Sequence, residues 1–330
     1  MASRLDDALH RLSEKDLKCG IVLKPENIFY LTGFFPSATS ALLLKDEPTL
    51  LVSRMDAAPA EASLVKFKVV EKVGSEIKRL RYKGMGVEKN FTSFGFIEKN
   101  LKGKKIHNLD FIEDMRKIKG KKEVDTTKKA IKIAEDAARG VESEMEGKTE
   151  REVAASLEYS IRKHAQVAFE AIVASGRNSS VPHHSPTEAA ISAPVIIDVG
   201  AKVDYYNSDL SRTFTMGSPS NVLEVYEAVS EAQKAGIKEC YDGNDVKAAD
   251  LAVRGVLDEY NLEEYFLHSS GHGMGLEVHE EPRISKDSKE KFREGMVVTI
   301  EPGVYKEFGV RIEDVVLVGK QPRVLTSLPR

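Results

Sequence analysis

The sequence predicts an α+β protein with two regions of unequal chemistry, and three observations predict it. Over roughly the first 110 residues, short apolar runs alternate with polar turns in the manner of a small α/β domain. Beyond a charged stretch, long helical periodicities alternate with apolar, strand-like runs. Several of those later runs carry a carboxylate where an apolar residue belongs, which marks the second region as the one with chemistry.

In the first region, Leu5 to Leu12 and Glu71 to Leu80 suit helices, and Lys18 to Leu23, Ala41 to Leu44, Pro48 to Val52 and Phe67 to Val70 suit strands. His10 and His107 fall here, but no carboxylate is isolated in an apolar run, so the region reads as a packing or assembly domain. The stretch MRKIKGKKEVDTTKKA, Met115 to Ala130, is charged and poor in large apolar side chains, which suits a surface linker running into a helix. The expected organisation is therefore a domain over 1–114, a linker over 115–126 and a second domain over 127–330. Helices are expected at Thr127 to Glu144 and Thr149 to Lys163. The second opens with the Thr149/Glu152 spacing of a capping box and carries Val153, Leu157 and Ile161 on one face. Strands follow at Ala168 to Ala174, Pro194 to Val199 and Asp209 to Met216, then helices at Val222 to Glu239 and Val246 to Tyr260. Two more strands close the pattern at Met296 to Ile300 and Val310 to Val318.

Composition narrows the function classes. The 330 residues hold 49 Lys plus Arg against 52 Asp plus Glu, a formal charge of -3 that offers no field for a polyanion or an anionic membrane. The basic run Arg116 to Lys122 is local and has no interleaved aromatics, so no nucleic-acid partner is expected. Cys19 and Cys240 are too few for a disulfide scaffold; both are expected as free thiols, in keeping with a cytoplasmic protein. No apolar run is long enough to cross a membrane, and the N-terminal MASRLDDALHRLSEKD reads as a polar helix with no signal-peptide core.

The acids are the informative residues. Asp198 follows Val195, Ile196 and Ile197; Glu301 follows Val297, Val298, Thr299 and Ile300; Glu313 follows Val310, Arg311 and Ile312. A carboxylate so placed must be paired, protonated or bound to metal. Asp198 and Asp209, in PVIIDVGAKVDYYNSDLSRTF, are placed so that two antiparallel strands joined through Gly200 to Asn207 would bring both into one site. His272, in HSSGHGMGLEVHE, adds an imidazole among glycines that let backbone approach closely. Any one of these residues alone has an ordinary explanation: turn contacts for either aspartate, an Arg311 pair for Glu313, a satisfied core position for His272. Together, four carboxylates exceed the charge of one divalent cation, whereas two cations offset it and can hold a hydroxide between them. Oxygen donors with one imidazole suit Mn, Co, Fe or Zn and argue against a thiolate site.

The ordered series VIIDVG, NSDLSRTF, HSSGHGMGLEVHE, TIEPGVY and GVRIEDVV resembles the methionine aminopeptidase and Xaa-Pro peptidase family, and ENIFYLTGF at Glu26 to Phe34 resembles its creatinase-like N-terminal domain. The resemblance implies a pita-bread metallopeptidase domain preceded by a smaller α/β creatinase-like domain, closest in type to prolidase or aminopeptidase P. Carried over residue by residue, Asp198 would chelate one metal, Asp209 and Glu313 would bridge both, and His272 and Glu301 would complete the shell of the second metal. The metals would be two divalent ions per subunit, Mn or Co first, with Fe or Zn as alternatives. The resemblance also implies that His279, in EVHE, contacts the scissile peptide and that His183, in NSSVPHH, lies near the substrate entrance. Glu301 would relay the proton of the attacking water.

Other residues keep two readings. His183 is preferred to the adjacent His184 for the site, and His268 suits a supporting position. Arg311 could orient the bridging carboxylate or meet a substrate terminus bidentately. Asp204 could be a turn residue or select a cationic substrate N-terminus. The family architecture implies a homodimer acting on a dipeptide or short peptide with proline second. The Xaa-Pro dipeptidase reading leads; the alternatives are aminopeptidase P on longer peptides, a non-peptide amide hydrolase, and a metal-binding scaffold of the same fold.

Overall fold

The computed structural model describes residues 4–329, so the first three residues of the polar N-terminal segment and the final arginine lie outside it. The chain divides into two compact units, one ending at Arg116 and the other beginning at Lys117.

The N-terminal unit contains helices α1 (Arg4–Glu14), α2 (Pro25–Thr32), α3 (Val73–Lys78), α4 (Phe94–Asn100) and α5 (Phe111–Lys117, whose last residue falls in the second unit). Its strands β1 (Gly20–Val22), β2 (Ala41–Leu44), β3 (Thr49–Val52), β4 (Lys66–Val69), β5 (Gly84–Val87) and β6 (Lys105–Asn108) form one sheet in the order β4-β3-β2-β1-β5-β6. The pairs β1–β2 and β2–β3 are antiparallel and the others parallel. The sequence reading missed β5 because glycines alternate along it. A Cβ at Gly86 would come within 2.3 Å of the Leu109 side chain, so the small residue is what lets that leucine cover the sheet. β6 is polar (KIHN) and carries no apolar run to find. The phrase ENIFYLTGF is explained by α2, which has Pro25 in its first turn and ends on Gly33 at φ 72°, a left-handed C-cap.

The segment expected to be a linker is largely ordered. α5 runs to Lys117 and α6 (Lys121–Glu142) begins well before Thr127. Its charges, which suggested a solvated surface, are spent on specific partners. Arg116 donates to Asn27 Oδ1 at 2.7 Å, Lys117 pairs with Glu290 at 2.6 Å and Lys119 with Glu280 at 3.0 Å. Glu123 closes back on the Gly120 N–H at 2.8 Å, a carboxylate cap for the first turn of α6.

The second unit continues with α7 (Glu150–Arg162), β7 (Gln166–Val167), β8 (Ile172–Ser175), β9 (Val195–Val199), β10 (Ala201–Val203), β11 (Tyr206–Asn207), β12 (Leu210–Phe214), α8 (Ser220–Lys238) and α9 (Val246–Glu259). Then come β13 (Gly271–Gly273), β14 (Glu280–Ile284), β15 (Val297–Ile300), β16 (Gly303–Tyr305), β17 (Gly309–Arg311), β18 (Asp314–Leu317) and β19 (Arg323–Val324). Helices cover one face of these antiparallel sheets in two halves. α6 and α7 share a core with Val173, Val195, Ile197, Val199 and Leu210. α8 and α9 share another with Val298, Ile300, Val310, Ile312 and Val316. The capping box at Thr149 and Glu152 forms as expected, and Val153, Leu157 and Ile161 are fully buried, each contributing about 1.5–3 kcal/mol of apolar burial.

One departure bears on the site. Val310 to Val318, expected as one strand, is broken at Ile312 and Glu313. β17 pairs with β16, whereas β18 pairs with β15, and between them Glu313 N–H donates to Ser211 O at 3.1 Å. Asp204 and Tyr205 are the two-residue loop of the β10–β11 hairpin, at φ 45° and 69°, the positive-φ pair that a type I′ turn requires. Both cysteines are free and buried, and burial raises both thiols, that of Cys19 to about 11. Among the described residues no helix is long and apolar enough to cross a membrane.

Candidate metal centre

The acids reach one place because strands alternate their faces. In β9, Ile197 and Val199 enter the core under α6 and α7, so Asp198 between them faces the other side. The β9–β12 register sets Ser211 opposite Asp198, which places Asp209, two residues earlier, on the same face. In the other half Val310 and Ile312 are core residues, and Arg311 and Glu313 alternate away from them. Glu301 directly follows β15. His272 is brought in by β13, which runs between β14 and β15. A Cβ at Gly271 would lie 2.0 Å from Thr299 O and one at Gly273 2.3 Å from Glu281 O, so glycines at both positions are the condition for this close passage.

Asp198, Asp209, His272, Glu301 and Glu313 thus line one cavity of about 400 Å³, together with His183, His268, His279, Arg311, Phe169, Glu170, Ile172, Pro182 and Val278. Their donor atoms form three groups with all members within 4.8 Å of one another: Asp198, Asp209 and Glu313; His272, Glu301 and Glu313; Asp209, His272 and His279. His272 Nε2 is 3.6 Å from both Asp209 Oδ2 and Glu301 Oε1. His272 Nδ1 meets Gly273 O at 3.0 Å, which assigns the proton to Nδ1 and leaves the Nε2 lone pair toward the carboxylates.

The electrostatics of this cluster call for cations. Burial raises the Asp209 carboxyl well above its ordinary range, and Glu313, Asp198 and Glu301 raise it further. Glu313 is raised in the same way, by burial and then by Glu301 and Asp198. Burial pushes Glu301 up to about 8, with Arg311 opposing and Asp198 reinforcing the shift. Asp198 Oδ1 is buried and has no hydrogen-bond partner among the described residues, while its Oδ2 accepts from Arg311 Nη2 at 2.7 Å. Among the described residues Arg311 is the only Arg or Lys lining the cavity, so the four carboxylates of the cluster, if ionised, leave a deficit of three positive charges that one divalent ion does not close. Oxygen donors with one free imidazole nitrogen, an orphaned carboxylate oxygen and this deficit fit a dinuclear metal-binding site.

Of the histidines, burial lowers His272 to about 4, helped by His279, and lowers His268 to about 4. His279 is also lowered, chiefly by burial, and its ring packs edge-on against His272 with centroids 4.3 Å apart. His268 sits in a hydrogen-bonded chain: its Nδ1 meets Ser269 O at 2.8 Å and its Nε2 meets Tyr305 OH at 3.0 Å. His183 lines the cavity, whereas the adjacent His184 meets Glu150 at 2.8 Å. Asp204 is not among the lining residues. Tyr305 and Glu150 were passed over in the sequence reading. Tyr305 lay inside the recognised phrase TIEPGVY, and Glu150 had only the polar surroundings of a helix start.

The metal-free protein should lose stability as pH rises. A carboxyl whose folded pKa is raised, as for Glu301 from 4.5 to about 8, holds a proton that the unfolded chain has already lost across that window. Its contribution is complete below 4.5 and is lost on passing 8. Urea midpoints measured between these limits should therefore fall with pH for this group, and saturating Mn should reverse the trend by displacing the protons.

Residues 125–320 match metallopeptidase family M24, and residues 4–118 match the creatinase/prolidase N-terminal domain. The chain belongs to metallopeptidase family M24. Its two helix-covered halves are the pita-bread-like catalytic domain of that family, preceded by the smaller creatinase-like domain. Among M24 relatives, the Xaa-Pro dipeptidase of Pyrococcus horikoshii is 38% identical over 335 residues, which cover 97% of this chain and 95% of that protein. The crystal structure of the prolidase from Pyrococcus horikoshii OT3 superposes with a TM-score of 0.95 at 37% identity, covering 99% of this chain and 98% of the other. The crystal structure of an X-Pro aminopeptidase from Thermotoga maritima superposes at 0.89 with 31% identity, covering 100% and 99%.

Proposed function

We propose that this M24 peptidase hydrolyses the bond before proline in Xaa-Pro dipeptides. The observation that carries the reading is the five-residue donor set, with Asp209, His272 and Glu313 buried and Asp198 and Glu301 half-buried, within a chain similar along its whole length to an Xaa-Pro dipeptidase. A cavity of about 400 Å³ lies toward the small end of ligand sites and suits a dipeptide.

Asp198 would hold one ion and Asp209 and Glu313 both, with His272 and Glu301 completing the other; Asp209, Glu313 and His272 each belong to two of the three donor groups. Two divalent ions held there, Mn or Co first with Fe or Zn as alternatives, would supply Lewis acidity and an acidified water. Glu301 would take the proton of the attacking water and pass it to the leaving prolyl nitrogen. His279 is kept neutral by burial and donates a hydrogen bond to the scissile carbonyl oxygen as it gains charge. His183 orients the substrate within the same cavity.

Of the two roles weighed for Arg311, its surroundings support the orienting one. The side chain is 3% exposed. It donates to Asp198 Oδ2, Ser211 Oγ, Pro182 O and Tyr305 OH. The N-terminal unit is assigned to assembly of a homodimer, which sedimentation analysis reads directly.

Metal-stripped and Mn-reconstituted protein, offered Leu-Pro, Ala-Pro-Ala, Met-Ala-Ser and Leu-Leu and followed by mass spectrometry, tests the reading. Metal-dependent cleavage of Leu-Pro alone is expected. Preferential trimming of Ala-Pro-Ala would favour the aminopeptidase reading, which the likeness to the Thermotoga structure keeps in view. No cleavage with two ions bound would leave a non-peptide amide or a binding role. His279→Ala should lower kcat by on the order of 100-fold while both ions stay bound. Loss of an ion would instead make His279 a ligand, as the third donor group allows.

A further inference from the structure

Glu150, the first residue of α7, has a fully buried carboxylate that the metal cluster does not use. Its Oε1 accepts from Ser175 N at 2.8 Å, Ser175 Oγ at 3.1 Å and Asn178 Nδ2 at 3.0 Å. Its Oε2 accepts from Thr187 N at 3.0 Å and Thr187 Oγ1 at 2.7 Å and meets His184 Nε2 at 2.8 Å. Every partner lies on the segment 175–187, and the partners fall on both sides of His183. The backbone at the start of α7 holds the end of the same segment: Glu150 N donates to Ala189 O and Arg151 N to Thr187 O, both at 3.0 Å.

The opposite side of the segment is fastened as well. Arg311 Nη1 donates to Pro182 O at 2.9 Å, and Gly309 N donates to Ser179 Oγ at 2.8 Å. Burial works against the Glu150 charge, but hydrogen bonds from His184, Thr187, Ser175 and Asn178 outweigh it and hold the carboxyl at about 2. An ionised carboxylate only accepts, so His184 carries its proton on Nε2 and donates.

We propose that Glu150 is a positioning residue of the active site: by gripping Ser175 and Asn178 before His183, and His184 and Thr187 after it, it holds the His183 imidazole at the metal cavity. The proposal rests on the reading of His183 as a residue that orients substrate. Its chemistry is that of a buried anion ordering a loop of donors, so a neutral side chain of the same size cannot replace it: an amide at this position turns an NH2 group toward three of the donors.

The test compares Glu150→Gln, His183→Ala and the double variant as full-length, two-metal protein. Glu150→Gln should lower kcat/KM for Leu-Pro by on the order of 10- to 100-fold with two ions per subunit retained, since small misplacement of an orienting group has effects of that size. In the His183→Ala background the same substitution should change nothing further. An equal loss in both backgrounds would show that Glu150 acts on the fold generally and would overturn the proposal. A harmless Glu150→Gln beside an impaired His183→Ala would overturn it while leaving the role of His183 intact. His183→Ala indistinguishable from the parent would remove that role and the proposal with it.

Two further measurements keep the question answerable if Glu150→Gln folds poorly or if Leu-Pro is not the substrate. His184→Asn removes one contact of the six and should give a smaller loss, also silent without His183. In protein labelled with ¹⁵N-histidine and loaded with Zn, His184→Asn or Glu150→Gln should move the His183 ring signals and leave those of His10 in place. Unmoved His183 signals would overturn the proposal.

Discussion

Asp209→Asn should cost turnover of Leu-Pro by on the order of a thousandfold or more, with metal content falling below two ions per subunit. Asp209 is 5% exposed and belongs to two of the three donor groups. The substitution keeps the shape of the side chain but removes one negative charge from a cluster assembled to hold cations, and it offers only one oxygen where two are needed for a shared ligand. The readouts are inductively coupled plasma mass spectrometry on the dialysed protein and turnover of Leu-Pro at saturating Mn. The substitution also removes the buried charge of Asp209 that Glu313, Asp198 and Glu301 repel, so the metal-free variant should be at least as stable as the metal-free parent. A variant with two ions and near-parent turnover would disprove the bridging role.

Arg311→Met should be the most damaging change outside the metal ligands. The guanidinium is buried and is the one permanent cation lining the cavity among the described residues, so its loss leaves Asp198 Oδ2, Pro182 O and Tyr305 OH without their donor. Breaking a buried ion pair from one side costs about 3–5 kcal/mol, and metal affinity should weaken by about 10- to 100-fold because Asp198 is no longer held. Urea unfolding of the metal-loaded protein and competition against a chelator measure the two effects. A variant that kept both stability and metal affinity and showed only a raised KM would restore the other role weighed for this arginine, recognition of a substrate carboxylate.

Three of the site residues legible in the sequence share one property: each is a charged residue in a context that should exclude it. Asp198 after three β-branched residues, Glu301 after four residues of a buried strand and Glu313 beside Ile312 are anomalies whatever the fold. Asp209 and His272 were found by spacing and by the glycines around them. What stayed hidden has the opposite character. Glu150 is as buried as any of these acids, but its neighbours Thr149, Arg151 and Glu152 are those of an exposed helix start, and its partners arrive from the distant segment 175–187. The segment around Arg116 to Glu123 failed for the same reason, since its charges are satisfied by residues far along the chain. β5 failed because Gly84 and Gly86 suit a turn locally, and only the approach of Leu109 explains them as strand residues. The break at Glu313 depends on a change of pairing partner, which no local pattern records.

The alternation in β9 has a consequence for how the chain acquires its ions. Ile197 and Val199 anchor the strand in an apolar core that the ions never touch, and Val310 and Ile312 do the same on the other side. The backbone around Asp198, Arg311 and Glu313 is therefore set by packing before any cation arrives, and binding has little chain ordering to offset. Loading should then exchange ions for protons with little change in the packing of these strands. The apolar half of each strand makes its core contacts whichever donors the other half presents, so the scaffold and the ligand set are separate contributions to the fold.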